Sequence, residues 1–132
     1  MKKAKTILLD LSLVIGVIIL PITASTNIHT ILGVVFTALL TTHILIKRKW
    51  LVAVGRKIRT AEPKQKQKYI VAILMIKVWY IAISAAIFSG FTEENWPIDI
   101  HQNFVLIGIV LVIIHLYQNI AKIKMLFTSH PN

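Results

Sequence analysis

Apolar residues dominate four stretches of the chain, at about 6–25, 28–47, 69–90 and 101–121, and polar residues gather between them. Each stretch approaches the roughly 20 residues an α-helix needs to cross about 30 Å of hydrocarbon. The pattern predicts an all-α, integral membrane four-helix bundle, a single transmembrane domain over 1–132 with little chain left over.

Punctuation between the stretches sets the expected boundaries. Span one runs from Thr6 to Pro21, whose ring ends or kinks the helix near the outer surface. Ser25, Thr26 and Asn27 are good N-caps and place the start of span two within a residue or two of His29. That span returns at Lys47, with Trp50 as an interfacial anchor. The segment 48–68 starts amphipathically, with Leu51, Val52, Val54 and Ile58 set against Arg56, Lys57 and Arg59, and is expected to lie on the lipid headgroups. Pro63 breaks it, and Lys64, Gln65, Lys66, Gln67 and Lys68 lead into span three. Ser89 and Gly90 end that span. An outer loop with Trp96 and Pro97 follows, and Asp99 is the expected cap of span four.

Composition agrees with the pattern. The chain is 56% apolar and 15% charged, with a mean hydropathy of +0.74, outside the soluble globular range. The net charge of +10 is placed by topology, because Lys and Arg collect in loops that stay on the cytoplasmic side. Lys2, Lys3 and Lys5 precede span one; Lys47, Arg48, Lys49, Arg56, Lys57, Arg59, Lys64, Lys66 and Lys68 separate spans two and three; Lys122 and Lys124 follow span four. The two opposite turns hold no Lys or Arg, only Glu93, Glu94 and Asp99. Both termini are therefore read as cytoplasmic. The excess charge suits anionic membrane lipid, and nucleic acid is not an expected partner, since no soluble fold presents the basic residues as one face. The first 25 residues also have the build of a signal peptide, ending in Thr23, Ala24 and Ser25. The length of the run, Asp10 within it and the need for a fourth wall favour its retention. With no cysteine, disulfides and thiolate metal ligands are excluded.

Against this background four histidines stand out. His29 and His43 lie fourteen residues apart in span two, and His101 and His115 fourteen apart in span four. On an α-helix fourteen steps advance about 21 Å and end only about 40° short of four turns, so each pair occupies one stripe. Asn27, Ile28, His29 echoes Asp99, Ile100, His101, as though the chain were a two-fold repeat of one helix pair. Spans two and four then run in the same direction, and His29 is expected to meet His101 near the outer surface and His43 to meet His115 near the inner one.

Histidine in a bilayer faces the protein interior and has a partner. Two readings fit: the four hydrogen-bond across helices as structural or proton-carrying groups, or they ligate metal. Within the second, two levels about 21 Å apart with two donors each do not suit zinc, which takes at least three protein ligands. They do suit two haems b, whose iron needs only two axial imidazoles and which then carries electrons. Gly33 and Gly108 on the ligand helices would let a flat macrocycle approach, although glycine is ordinary in membrane helices. Lys47 and Arg48 beside His43 would pair with inner propionates or serve only as topology signals. Asn27, Gln102 and Asn103 would bond outer propionates or act as caps. Asp10 and Lys77 lie inside spans; a mutual ion pair is the first expectation, with Lys77 on an inner propionate or Asp10 handling protons at a quinone site as alternatives. No nucleophile elbow, phosphate loop or Rossmann fingerprint is present.

With His29, His43, His101, His115, Asp10 early in span one and Trp50 beyond the second histidine, the chain resembles the small four-helix membrane b-type cytochromes, most closely the flavinylation-associated cytochrome domain. The resemblance covers nearly the whole length, although span four ends in His115, Leu116, Tyr117, Gln118, Asn119 with no tryptophan matching Trp50. It implies a bis-haem, multi-pass protein of the bacterial cytoplasmic membrane. Such a protein is an electron-transfer subunit more than a stand-alone enzyme, with quinol oxidation as a possible activity. Electrons would pass between the quinol pool or a cytoplasmic-side donor and an extracytoplasmic acceptor such as a flavoprotein. The alternative is a haem-free transporter subunit or assembly factor, and a homo-oligomer is compatible with either.

The charge pattern makes a direct prediction. Reporter fusions at Lys68 and at the C-terminus are expected to be active only as cytoplasmic reporters, and a fusion in the loop near Trp96 only as an exported one. The reverse pattern would refute the orientation.

Overall fold

The computed structural model describes residues 2–121 and 124, with side chains from residue 7 onward. Lys122, counted above among the inner basic residues, lies outside them, as do the side chains of Lys2, Lys3 and Lys5. Among the described residues all regular structure is α-helical: α1 (Lys2–Ile22), α2 (Asn27–Lys57), α3 (Pro63–Ser89) and α4 (Trp96–Gln118). α2, α3 and α4 are long and apolar enough to cross a membrane, and α1 carries a shorter apolar stretch, Ile7–Ile22. The protein is a multi-pass helical membrane protein.

Three boundaries differ from expectation for identifiable reasons. The segment 51–57 does not form a separate surface helix; it is the end of α2, which runs unbroken through Trp50 for 31 residues. From Lys47 to Lys57 the chain offers good helix formers with only Gly55 against them, and Arg56 and Lys57 suit the negative end of the helix dipole. At 1.5 Å per residue α2 is about 46 Å long, so its basic end extends past the hydrocarbon. Pro63 likewise opens α3 rather than merely ending what precedes it, because a first-turn position has no use for the missing N–H. Lys64, Lys66 and Lys68 therefore belong to α3. At α4, Asp99 is a first-turn residue and not the cap, which falls at Asn95; its carboxylate faces the positive end of the dipole.

The chain divides into two compact units, Met1–Lys57 and Ile58–Asn132, at the point where the helix-pair repeat divides it. In the first, α1 and α2 form an antiparallel hairpin about Val17, Leu20, Phe36 and Leu40, all buried. In the second, α3 and α4 pair about Val71, Ala72, Val78, Trp79, Ala82 and Ala85 on α3 and the buried Pro97 and Gly108 of α4. The α3 set recurs at seven-residue steps, 71–78–85 and 72–79, which keeps one seam on the partner helix.

Close approach depends on one small residue per hairpin. A Cβ on Gly16 would stand 2.7 Å from Cδ2 of Phe36, and one on Gly108 would stand 3.0 Å from Cε2 of Trp79. Elsewhere the apolar surface turns outward: only 11% of the apolar window of α2 and of α4 is buried, against 28% for α3. Such a surface is solvated by lipid, so association between helices relies on packing and hydrogen bonds rather than on the hydrophobic effect.

Gly108 is therefore a sensitive point. Gly108→Ala is expected to lower stability by about 1–3 kcal/mol, the usual result of overpacking, despite the better helix propensity of alanine. Gly55→Ala, where nothing lies within 4 Å, should be neutral or slightly stabilising by that same propensity. Unfolding by denaturing detergent in mixed micelles measures both, and equal stability of the two variants would contradict the packing described.

Candidate functional site

All four repeated histidines are half-buried. His29 sits at the start of α2 and His43 about four turns on; His101 and His115 divide α4 in the same way. Three of the rings are held at Nδ1 by the other helix of their own hairpin. His29 Nδ1 lies 2.9 Å from the carbonyl oxygen of Leu20, and His101 Nδ1 lies 2.9 Å from that of Ala82. His43 Nδ1 lies 2.9 Å from Oδ1 of Asp10.

These contacts determine where the ring proton is. A carbonyl oxygen can only accept, so Nδ1 of His29 and of His101 carries the hydrogen and donates it. In a neutral imidazole the lone pair then belongs to Nε2, the nitrogen that can bind a metal. A metal-ligating histidine is ordinarily held this way, with its second N–H donated to a carbonyl or carboxylate that fixes tautomer and ring orientation. His43 uses the carboxylate form of that support.

The acceptors arise from helix geometry. Leu20 lies in the last turn of α1, where a carbonyl has no intrahelical partner. Its oxygen also accepts from the Thr23 backbone N–H at 3.2 Å and the Thr23 hydroxyl at 3.1 Å. Ala82 lies inside α3, and its carbonyl offers its second lone pair to His101; with the side chain 1% exposed, this is the most tightly covered apolar residue of the seam. Asp10 shares a stripe with Val17, seven residues on, and so faces α2. Its carboxylate meets His43, a partner that the expected pairing with Lys77 did not anticipate; Lys77 is exposed on α3.

Phe36 stands midway between His29 and His43, and Gly108 midway between His101 and His115. At this level each hairpin places an aromatic ring against a glycine, but with the roles exchanged. α2 contributes Phe36 against Gly16 of α1, whereas α4 contributes Gly108 against Trp79 of α3. The matched midway positions are visible in the sequence; which helix supplies the ring is not, because the aromatic partner of Gly108 lies in another span.

The remaining expected residues divide by position. Gly33 has nothing within 4 Å of where a Cβ would stand, while the space at Gly108 is filled by the Trp79 indole. Lys47, one turn beyond His43, is half-buried and Arg48 is exposed; Asn27, Gln102 and Asn103 are exposed near the outer histidines. Among the described residues no three of His, Cys, Asp and Glu gather as a bare metal ion's site would require. Sequence reasoning did not find the Leu20 and Ala82 carbonyls, since a backbone acceptor leaves no mark on residue type. Comparison with family models, with curated proteins and with solved structures found no match.

Proposed function

We propose that the protein is a small membrane b-type cytochrome that carries electrons across the cytoplasmic membrane of a bacterium. The observation that carries this reading is the Nδ1–H of His29 and of His101 donated to a backbone carbonyl, with His43 on a carboxylate. That is the support an iron-binding imidazole needs, repeated at histidines of matched spacing. His29 and His101 would hold an outer haem, and His43 and His115 an inner one. When bound, the group would supply reversible one-electron chemistry, with imidazoles as its protein ligands.

The chain's own residues have the remaining tasks. The Leu20 and Ala82 carbonyls orient the outer ligands, and Asp10 orients an inner one. Gly33 leaves the surface of α2 open beside its ligand. Lys47 and Arg48 are the nearest cations in sequence to His43 and suit inner propionates, with Lys77 a third donor from α3. Asn27 and Asn103 suit the outer propionates.

The resemblance to the flavinylation-associated cytochrome domain supports the same assignment. It suggests the quinol pool or a cytoplasmic-side donor at one end and an extracytoplasmic flavoprotein at the other. One observation favours a second reading: the Asp10–His43 contact is complete without any metal, and would serve equally in a haem-free transporter subunit or assembly factor.

Haem content separates the two readings. Protein expressed with ample haem is expected to yield two haems b per chain in a pyridine haemochrome assay. His43→Ala and His115→Ala should remove the same absorbance component, and His29→Ala and His101→Ala the other. A colourless wild-type preparation would overturn the proposal. Loss of a common component by His29→Ala and His43→Ala would overturn the pairing.

A further inference from the structure

The turn that joins α3 to α4 reverses the sign of the chain. Three of the five acidic residues, Glu93, Glu94 and Asp99, lie there, and no Lys or Arg occurs between Lys77 and Lys122. All three acids are exposed, so a chain of net charge +10 ends its second hairpin in a negative tip. Aromatic rings crowd the same tip. Phe91 is 82% exposed, the highest value of any described large apolar side chain, and Phe88 and Trp96 are about half exposed. The rings of Phe88 and Trp96 meet with centroids 5.6 Å apart, within the range of favourable aromatic pairs, and so link the end of α3 to the start of α4. Backbone bonds hold this arrangement in one shape. The Phe91 N–H donates to the Phe88 carbonyl at 2.9 Å, the Glu94 N–H donates to the Thr92 hydroxyl at 3.2 Å, and Pro97, fully buried in the first turn of α4, pins the far side.

We infer that this tip is a docking surface for a water-soluble protein that presents an arginine-bearing, basic face on the side of the membrane opposite the chain's own basic segments. Aromatic side chains at helix ends also anchor proteins in the lipid interface, and the carboxylates decide between the two roles. Beside Phe91 and Trp96, Glu93 and Glu94 would have to give up water next to lipid phosphates that repel them. An arginine satisfies both halves of the surface, because its guanidinium pairs with a carboxylate and stacks on an indole or phenyl ring. An aromatic centre with a polar rim is the anatomy of protein interfaces. A turn already bonded into one shape loses little freedom on binding, an advantage of which a lipid anchor makes no use. The positive charge elsewhere on the chain repels the same partner and steers it to this end.

Full-length protein in nanodiscs of zwitterionic phosphatidylcholine, with both membrane faces accessible and no net lipid charge, tests this against a rhodamine-labelled peptide of alternating arginine and glycine, read by fluorescence anisotropy. The wild type is expected to bind the peptide, less tightly as salt is added. Glu93→Gln together with Glu94→Gln should lower the affinity about fivefold, and Phe91→Ala about threefold. Lysine in place of arginine in the peptide should weaken binding about threefold, since an ammonium does not stack. Arg56→Gln, at the basic end of α2, should change nothing. Phe91 and both glutamates are exposed, so these variants are expected to keep the wild-type fold, which helical circular dichroism checks. A wild type that does not bind the peptide overturns the inference. So does binding that the glutamate substitutions weaken while Phe91→Ala and the exchange of arginine for lysine leave it alone, the result expected of plain charge attraction and of a Phe91 set in lipid. None of these variants alters a histidine, so either result leaves the cytochrome reading to be decided by haem content.

Discussion

An imidazole N–H inside hydrocarbon has no water to bond to, so the protein must supply an acceptor at the same depth. That constraint ties each hairpin together. In the first, Leu20 meets His29, Gly16 meets Phe36 and Asp10 meets His43; as one helix is descended the other is climbed, and the three contacts together determine the register of α1 on α2. In the second, Ala82 with His101 and Trp79 with Gly108 do the same for α3 on α4. A shift of one residue in either hairpin would rotate the histidine away from its acceptor and drive an aromatic ring into a backbone. Polar contact and steric fit therefore select the same register, which matters where lipid-facing surfaces contribute no hydrophobic preference of their own.

The two hairpins solve the mid-membrane packing problem with the large and small residues interchanged. A repeated unit needs only that the local volume be filled once, by an aromatic side chain on one helix and its absence on the other. Volume is conserved at that level while residue identity is not. The histidine spacing, by contrast, is kept to the residue, because it sets the depth and azimuth of a polar group and no compensating change on the neighbouring helix can restore those.

Much of the architecture was legible in the apolar pattern, since spans of this length have few alternatives in a chain of this composition. The helical class, the tight turn before His29, the helix end at Ser89 and the division into two helix pairs were all readable. The continuation of α2 to Lys57 was not, because an amphipathic segment directly after a span reads alike whether it bends onto the headgroups or extends straight. Asp10 was readable as an acid inside span one but not as the partner of His43. The sequence offers Lys77 as the obvious opposite charge, and only the hairpin register shows that Asp10 comes level with the second histidine. Gly108 showed the converse problem: it was read as room for a ligand, and its space is filled by Trp79 from the other helix of its hairpin.

The carboxylate at His43 is the most informative departure from the repeat. His29 and His101 are supported at Nδ1 by a backbone carbonyl of the preceding helix and His43 by a side-chain carboxylate. A carbonyl would suffice for orientation at every position, and a helix interior supplies one at no cost, as Ala82 shows. An aspartate in an apolar span is expensive by comparison, and orientation alone does not account for it. What a carboxylate adds to a carbonyl is charge and proton affinity, and both act on the electronic character of the ring rather than on its position. The difference between the two ends of the first hairpin is therefore chemical, placed on a helix pair whose histidine spacing repeats in the second.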